Sequence, residues 1–394
     1  MDSQKSGFLD NNDKNFEDQE FAVSAAQYLN SKCKSVLDTG HYPKARPLLE
    51  ECYMIRKRFL YGDPITADTL YMLAEIHRKS GDLTLALMTL KETLELQVML
   101  YGMLCEQSAL CVHSTAEIKL VLGFFTEAMT LFEENLARRV EVVGNVGAAL
   151  TGVARAYLAL GKISKAVESA EQGYKLRMKQ HRGLKNIEVV DSLFCKSRIE
   201  LLRGDFETAK ILADQGTANL RFSTRESTPA VGLAIMQVGE TLYPIGRYSE
   251  ALEKFDQAQS MILEFLGECN YMLPTIQLHR AKSLIMLGKH QDALQAIDES
   301  GRIITALRKR NDVGVLIPAD LAHVSGHYYK YMGNYAKASL NYHDALGKYN
   351  DIFKDGLPTK YKFHPTIAIV LLDLGDTERM RGTYNYSFSY EKMN

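Results

Sequence analysis

Two histidines lie one helical turn apart in the run His323-Val-Ser-Gly-His327, and Asp320 falls on the same helix face. Histidines at this spacing can bind one zinc ion together, since imidazole nitrogens are common Zn²⁺ ligands. The glutamate of the H-E-x-x-H motif of zinc proteases is absent, no fourth ligand is evident, and His343 is only a distant candidate. The sequence therefore favours a structural role for these histidines and predicts no metal site.

Two Gly-Lys dipeptides, Gly161-Lys162 and Gly288-Lys289, resemble the end of a phosphate-binding loop. Neither has the glycine five residues earlier or the Ser/Thr directly after the lysine, so we interpret both as turns. The six cysteines form no C-x-x-C pair and have no evident activating partner. Because no nucleophile–base pair or paired carboxylates emerge either, the sequence predicts a chain that is not an enzyme and has no cofactor.

Composition narrows the classes of partner. The chain has 394 residues, 46% of them hydrophobic and 24% charged, with a net charge of -1. Without a basic bias, nucleic acid is not an expected partner. Six cysteines without paired spacing suggest reduced thiols, and the polar N-terminus lacks the apolar core of a signal peptide. We therefore expect a cytoplasmic protein without membrane insertion.

The elements that must carry any function are set by a repeat. Glycines recur roughly every 42 residues along the chain, which is typical of a repeat array: Gly40, Gly81, Gly123, Gly161, Gly204, Gly246, Gly288, Gly333 and Gly382. Alanine follows five residues after each of the first eight, and Ser387 closes that column: Ala45, Ala86, Ala128, Ala166, Ala209, Ala251, Ala293 and Ala338. A small residue precedes each glycine by seven positions: Cys33, Ala74, Ala116, Ala154, Ser197, Gly239, Ala281, Gly326 and Gly375.

These columns predict helix hairpins. The glycine ends one helix in the left-handed conformation, and the two small residues face each other where the helices approach closely. A second glycine, as at Gly62 and Gly102, ends the following helix, and proline often opens the next pair, as at Pro64. We predict a disordered acidic tail over residues 1–20, and about nine helix pairs over residues 21–394. The last pair is expected to be incomplete.

The columns resemble the tetratricopeptide repeat, and the long period resembles the variety found in kinesin light chains and nephrocystin. The run Ala67–Gly81 matches the family's A-x-x-L-x-x-L-A helix, and His364-Pro365 matches its His-Pro junction. The run Tyr53–Pro64 is similar to the family's I-R-x-x-x-x-G junction, with one residue more between Arg56 and Gly62. The resemblance implies an all-α, right-handed superhelical solenoid. Kinesin light chains also carry paired asparagines on their first helices; of the corresponding positions only Asn30 is asparagine, so that mode of peptide capture is not indicated.

The resemblance further implies that the first helix of each pair lines a concave groove. Sixteen positions on these helices are predicted to contact a partner: Asp68, Tyr71, Glu75, Arg78, His113, Glu117, Arg155, Phe194, Arg198, Met236, Glu240, Tyr243, Lys282, His323, His327 and Lys330. Aromatic and charged side chains of this kind suit the capture of a peptide or helix. Their alternative role is packing between repeats or simple solvation.

Two hypotheses about function follow. In the first, the chain is a non-catalytic scaffold or adaptor that binds a peptide or protein in the groove, in a microtubule-motor or ciliary setting suggested by the resemblance. In the second, it is a structural subunit of a cytoskeletal or axonemal assembly, and its convex face carries the contacts. Extended concave surfaces are how repeat solenoids recognise partners, which favours the first hypothesis.

Overall fold

The computed structural model describes residues 6–37, 39–60, 62–141, 145–180, 187–224, 228–354 and 364–382. Within these ranges the chain forms seventeen α-helices and no strand. The helices are α1 Ser6–Leu37, α2 Tyr42–Phe59, α3 Pro64–Ser80, α4 Leu83–Tyr101, α5 Glu106–Leu122, α6 Phe125–Glu141, α7 Val146–Ala159, α8 Ile163–Gln180, α9 Ile187–Arg203, α10 Phe206–Ser223, α11 Pro229–Leu242, α12 Tyr248–Leu266, α13 Leu273–Met286, α14 His290–Arg308, α15 Ile317–Tyr331, α16 Tyr335–Phe353 and α17 Pro365–Arg381.

The described helices form eight successive pairs and the first helix of a ninth, as the glycine period predicts. The predicted second helix of the ninth pair follows Gly382 and lies outside the described residues. The predicted disordered tail, residues 1–20, differs from the structure, in which α1 begins at Ser6. No proline or glycine interrupts the chain between Phe8 and Leu37, so nothing in that stretch breaks the helix.

The chain divides into two compact units at a boundary inside α5, residues 1–115 and residues 116–394. In each unit, helices that follow one another in sequence pack together. Among the described helices, none is both long enough and apolar enough to cross a lipid bilayer.

The glycines act as helix caps, as predicted. All nine glycines of the main column have positive φ, between 68° and 92°. At Gly81 the backbone amide donates to the Arg78 carbonyl at 3.2 Å, and the Asp82 amide reaches back to the His77 carbonyl at 2.9 Å. These bonds satisfy carbonyls at the end of α3 and reverse the chain into α4. Glycine is needed there because a side chain is strained in this conformation.

The small residues hold the two helices of a pair together. The Ser197 hydroxyl on α9 donates to the Ala209 carbonyl on α10 at 2.8 Å, and the Cys33 thiol on α1 points at the Ala45 carbonyl on α2 at 3.7 Å. Gly239 on α11 lies under the Phe255 ring of α12, so close that any β-carbon would collide with the ring. Larger side chains in these columns would force the helices apart.

We expect Ala251→Leu to lower the free energy of unfolding by about 1–3 kcal/mol, because Ala251 is fully buried in the hairpin contact of α11 and α12 and leucine would overpack it. Urea denaturation followed by circular dichroism measures the change. Ala137→Leu is the matched control, since Ala137 is exposed on α6. Equal effects at the two positions would contradict this role of the alanine column.

The second unit closes on itself through side chains that are far apart in sequence. Phe125 of α6 stacks on Phe353 at the end of α16, with ring centroids 5.8 Å apart, and Phe353 stacks in turn on His364 at 3.8 Å. A single hydrophobic core joins Phe132 of α6 to Tyr342 of α16. Early and late repeats of this unit therefore share one buried cluster, which we call the closure contact (Gly123, Phe125, Val315, Phe353 and His364).

Two glycines with nearly the same backbone conformation allow the closure contact to be tested. Gly123 (φ 87°) and Gly204 (φ 84°) both cap first helices, but a β-carbon on Gly123 would collide with Val315, whereas one on Gly204 would meet nothing within 4 Å. We expect Gly204→Ala to cost about 1–2 kcal/mol of stability through backbone strain. Gly123→Ala should cost about 1–3 kcal/mol more, because the closure contact must shift.

The double variant Gly123→Ala/Val315→Ala distinguishes the two contributions in the same urea titration. Removing the valine methyl groups takes away the colliding atom closest to the new β-carbon and leaves only the alanine β-carbon in the way. The double variant should therefore lose less stability than the two single variants together. Strict additivity, or equal losses for Gly123→Ala and Gly204→Ala, would show that the turn and Val315 are not in contact.

Candidate functional site

The first helices of the pairs in the second unit form an inner layer. In the described part of this unit, some helices also contact the helix two places further along the chain: α7 contacts α9, α9 contacts α11, α13 contacts α15 and α15 contacts α17. All of these are first helices, so the first helices lie closer together than the second helices do. We call the surface of these first helices, which carry the predicted groove positions of the second unit, the inner face.

Burial differs widely among the sixteen predicted positions. Asp68 and Arg198 are exposed, whereas Met236 and His323 are buried, with 8% and 6% of their surface accessible. The other twelve are half-buried: Tyr71, Glu75, Arg78, His113, Glu117, Arg155, Phe194, Glu240, Tyr243, Lys282, His327 and Lys330. Most of these side chains are therefore available in part, and their polar groups make contacts within the chain.

In the first unit, Glu75 is the centre of a polar cluster. Its carboxylate pairs with Arg78 on the same helix at 2.7 Å and accepts a hydrogen bond from Ser114 of α5, also at 2.7 Å. The Ser114 hydroxyl also lies 3.3 Å from the Tyr71 hydroxyl. Burial alone would raise the pKa of Glu75, but Arg78 and the hydrogen bond from Ser114 lower it to about 2. The cluster links α3 to α5.

In the second unit, a chain of charges crosses three consecutive first helices. Arg155 of α7 pairs with Glu117 of α5, and its other terminal nitrogen lies 3.7 Å from Asp191 of α9. Asp191 also contacts Arg177 of α8 at 3.2 Å, and the Arg177 guanidinium donates to the Glu188 carbonyl at 2.6 Å. Arg155 thus contacts carboxylates on both neighbouring first helices.

A second set of charges continues the series on α9, α11 and α13. The Glu240 carboxylate lies 3.7 Å from Arg198 and 3.3 Å from the His279 Nε2 nitrogen. The His279 ring is held by stacking on Phe255, with centroids 5.1 Å apart. Burial would raise the pKa of Glu240, but Arg198 and His279 outweigh it and lower the value to about 2.

The last set joins α15 to α17. One carboxylate oxygen of Asp373, on α17, lies 2.9 Å from the Nε2 nitrogen of His323 and 3.4 Å from the Nε2 nitrogen of His327. Lys330 lies 3.8 Å from the other oxygen. Asp320, which the sequence places on the face of the two histidines, accepts instead a hydrogen bond from Tyr349 of α16. His343 is exposed on α16 and is not part of this cluster.

Sequence reasoning found one member of most of these contacts and missed the other. Ser114, His279 and Asp373 were not among the predicted positions. The repeat spacing would have pointed to Ser114 and His279, because Glu75 and Ser114 are 39 residues apart and the predicted pair Arg155 and Glu117 are 38 apart. Complementary side chains about one repeat apart can meet on neighbouring first helices. Asp373 is 50 residues from His323, outside that rule.

We expect the contribution of Glu240 to stability to depend on pH. Its pKa falls from an ordinary value near 4.5 to about 2 on folding, so the contribution is complete above about pH 4.5 and is lost as the pH falls through the folded value. The stability difference between the native chain and Glu240→Gln should therefore shrink from about pH 7 to about pH 3 in urea titrations. Glu264→Gln, at an exposed position on α12, is the control. A difference that stays constant over this range would refute the ion-pair role.

Comparison with known proteins identifies the fold. The chain matches no family model and no curated protein. Among solved structures, a Rap protein complexed with competence and sporulation factor superposes over 93% of this chain and 100% of its own, with a TM-score of 0.51 and 13% identity. The APC/C hetero-tetramer Cut9–Hcn1 covers 84% of this chain and 55% of its own, with a TM-score of 0.54 and 12% identity.

A putative kinesin light chain of Podosopora anserina with nearly identical TPR-like repeats is 20% identical over 50% of this chain and 95% of its own, at a TM-score of 0.39. The helical pairs, the left-handed glycine caps and the two longer superpositions confirm the predicted class. In the part of the chain that the structure describes, the fold is an all-α array of helix pairs like that of tetratricopeptide-repeat solenoids.

Proposed function

We propose that this chain is a scaffold that binds a peptide or protein partner along the inner face of its first helices. The observation that carries the proposal is the series of charge contacts, Glu117–Arg155–Asp191 and Arg198–Glu240–His279, which runs from one first helix to the next. Each contact holds two neighbouring helices in register. A surface held in this way needs little reordering to bind, which favours affinity.

The inner face offers both charge and apolar area to a partner. Arg198 remains half accessible, with 51% of its side chain exposed, although it lies near Glu240. Two aromatic side chains are half-buried: Phe194, one turn before Arg198 on α9, and Tyr243, at the end of α11. Arginine and aromatic side chains dominate the binding energy of protein interfaces. We infer that the partner presents an acidic group together with apolar side chains.

Solved solenoids of similar fold support a binding function. The Rap protein structure contains competence and sporulation factor, and Cut9 is solved in a hetero-tetramer with Hcn1. The microtubule-motor or ciliary setting rests on the sequence resemblance to kinesin light chains and nephrocystin, and the cytoplasmic location rests on the unpaired spacing of the cysteines and the polar N-terminus.

The inner-face proposal is tested by affinity purification with the full chain as bait and quantitative mass spectrometry of the recovered proteins. Arg198→Ala should lower recovery of the specific partner by about tenfold, because an arginine anchor is lost. Arg221→Ala, which changes an exposed arginine on the second helix α10, is the matched control and should leave recovery unchanged. Circular dichroism confirms that both variants fold.

The alternative is a structural subunit of a cytoskeletal or axonemal assembly, and exposed apolar side chains on second helices favour it. Among them are Val140 at 60%, Phe222 at 69% and Leu340 at 70%. Each of them could contribute to contacts made by the outer surface of the pairs. If Phe222→Ser abolishes partner recovery and Arg198→Ala does not, the outer surface carries the contact and the inner-face proposal is wrong.

A further inference from the structure

His323, His327 and Asp373 are the one group of three potential metal-ligand side chains that converge among the described residues. Two come from successive turns of α15 and the third from α17, all within the second unit. Their donor atoms lie within 4.8 Å of one another. The sequence shows only the two histidines at positions i and i+4. The structure adds a carboxylate from a second helix to the two imidazoles.

The distances are close to those of a zinc site. Zinc binds histidine nitrogen and carboxylate oxygen at about 2.0–2.2 Å in a tetrahedron, so its ligand atoms lie about 3.3–3.6 Å apart. The Asp373 oxygen is 2.9 Å from the His323 Nε2 nitrogen and 3.4 Å from the His327 Nε2 nitrogen. Both imidazoles already present the same nitrogen to the same oxygen. Lengthening the shorter of these two contacts by a few tenths of an ångström would bring both oxygen–nitrogen distances into the zinc range.

The chemistry of the three side chains suits a cation. Imidazole nitrogen and carboxylate oxygen are both common ligands of zinc, and they bind it as neutral imidazole and ionised carboxylate.

The surroundings hold the ligands in place. The Tyr342 ring is fully buried and packs edge-on against both imidazoles, with centroids 5.8 Å from His323 and 5.7 Å from His327. Lys330 approaches the Asp373 oxygen that faces away from the imidazoles and also lies 3.7 Å from Asp376. Its positive charge opposes a bound cation, while its contact with Asp373 orients the carboxylate as an outer partner does in metal sites.

We propose that His323, His327 and Asp373 form a binding site for a divalent transition metal ion, Zn²⁺ in the first place. Three protein ligands leave a fourth position for water or for a side chain of a bound partner. The ion would connect α15 to α17, which share few contacts besides this cluster. This inference is independent of the inner-face scaffold proposal, since the ion can bind whether or not a partner does.

Zinc binding is measured on the full chain after removal of metal by a chelator, by competition with a chromophoric zinc indicator. The native chain should bind one Zn²⁺ per molecule. Asp373→Asn, which keeps the shape of the side chain but removes its charge, and His323→Ala should each weaken binding by at least about tenfold. His343→Ala, which removes an exposed histidine from α16, is the matched control and should bind as the native chain does.

Two further measurements separate this site from zinc bound elsewhere, above all at the exposed Cys269. Cobalt substituted at the site should give a spectrum without the thiolate-to-cobalt charge-transfer band. Lys330→Met should tighten zinc binding by at least about threefold, because a positive charge close to the ion is removed. Unchanged binding in Asp373→Asn and His323→Ala, a thiolate band, or no zinc bound by the native chain would each overturn the proposal.

Discussion

The close approach of two helices at each glycine turn is the constraint on which the rest of the structure depends. A left-handed glycine reverses the chain in one step, and the small residues on either side let the two helix axes come together. Once that hairpin forms, the second helix of a pair packs on the following helix, and in the second unit several first helices also meet the first helix of the next pair. The inner face, the charge contacts across it and the histidine cluster all lie on the helix that ends at the glycine.

Because this constraint is local and repeats along the chain, it could be predicted from one sequence. The glycine, the alanine five residues later and the small residue seven residues earlier are sufficient to locate the helices, and all nine glycines have the expected backbone conformation. Helical α1 is the exception. Its first residues are polar and carry no repeat column, so composition suggested disorder, whereas the absence of any helix breaker after Gly7 agrees with the helix.

The candidate site was predictable only in part. The position of a residue in the repeat decides on which face of its helix it lies, but the stacking of the repeats decides which side chain it contacts. Arg198 and Glu240 were both placed on first helices by the glycine period, but nothing in the period says that Glu240 would also meet His279. Asp373 was harder still. It lies within the 49-residue step from Gly333 to Gly382, the longest of the glycine column, so its register against His323 could not be read from the columns.

The closure contact links these local facts to binding. Phe353 stacks on both Phe125 and His364, so the loop residue that precedes α17 is packed against the early repeats of the second unit. At the inner side of the same helix, Asp373 is held by the α15 histidines. α17 is thus attached at its start by aromatic stacking and in its middle by a polar cluster. A ligand that binds the polar cluster only when α17 is docked on α15 stabilises the docked helix as a whole, including the packing at its start. Occupancy at Asp373 and the packing of Phe353 should therefore be coupled, and the inner face between them would be held in one shape when it meets its partner.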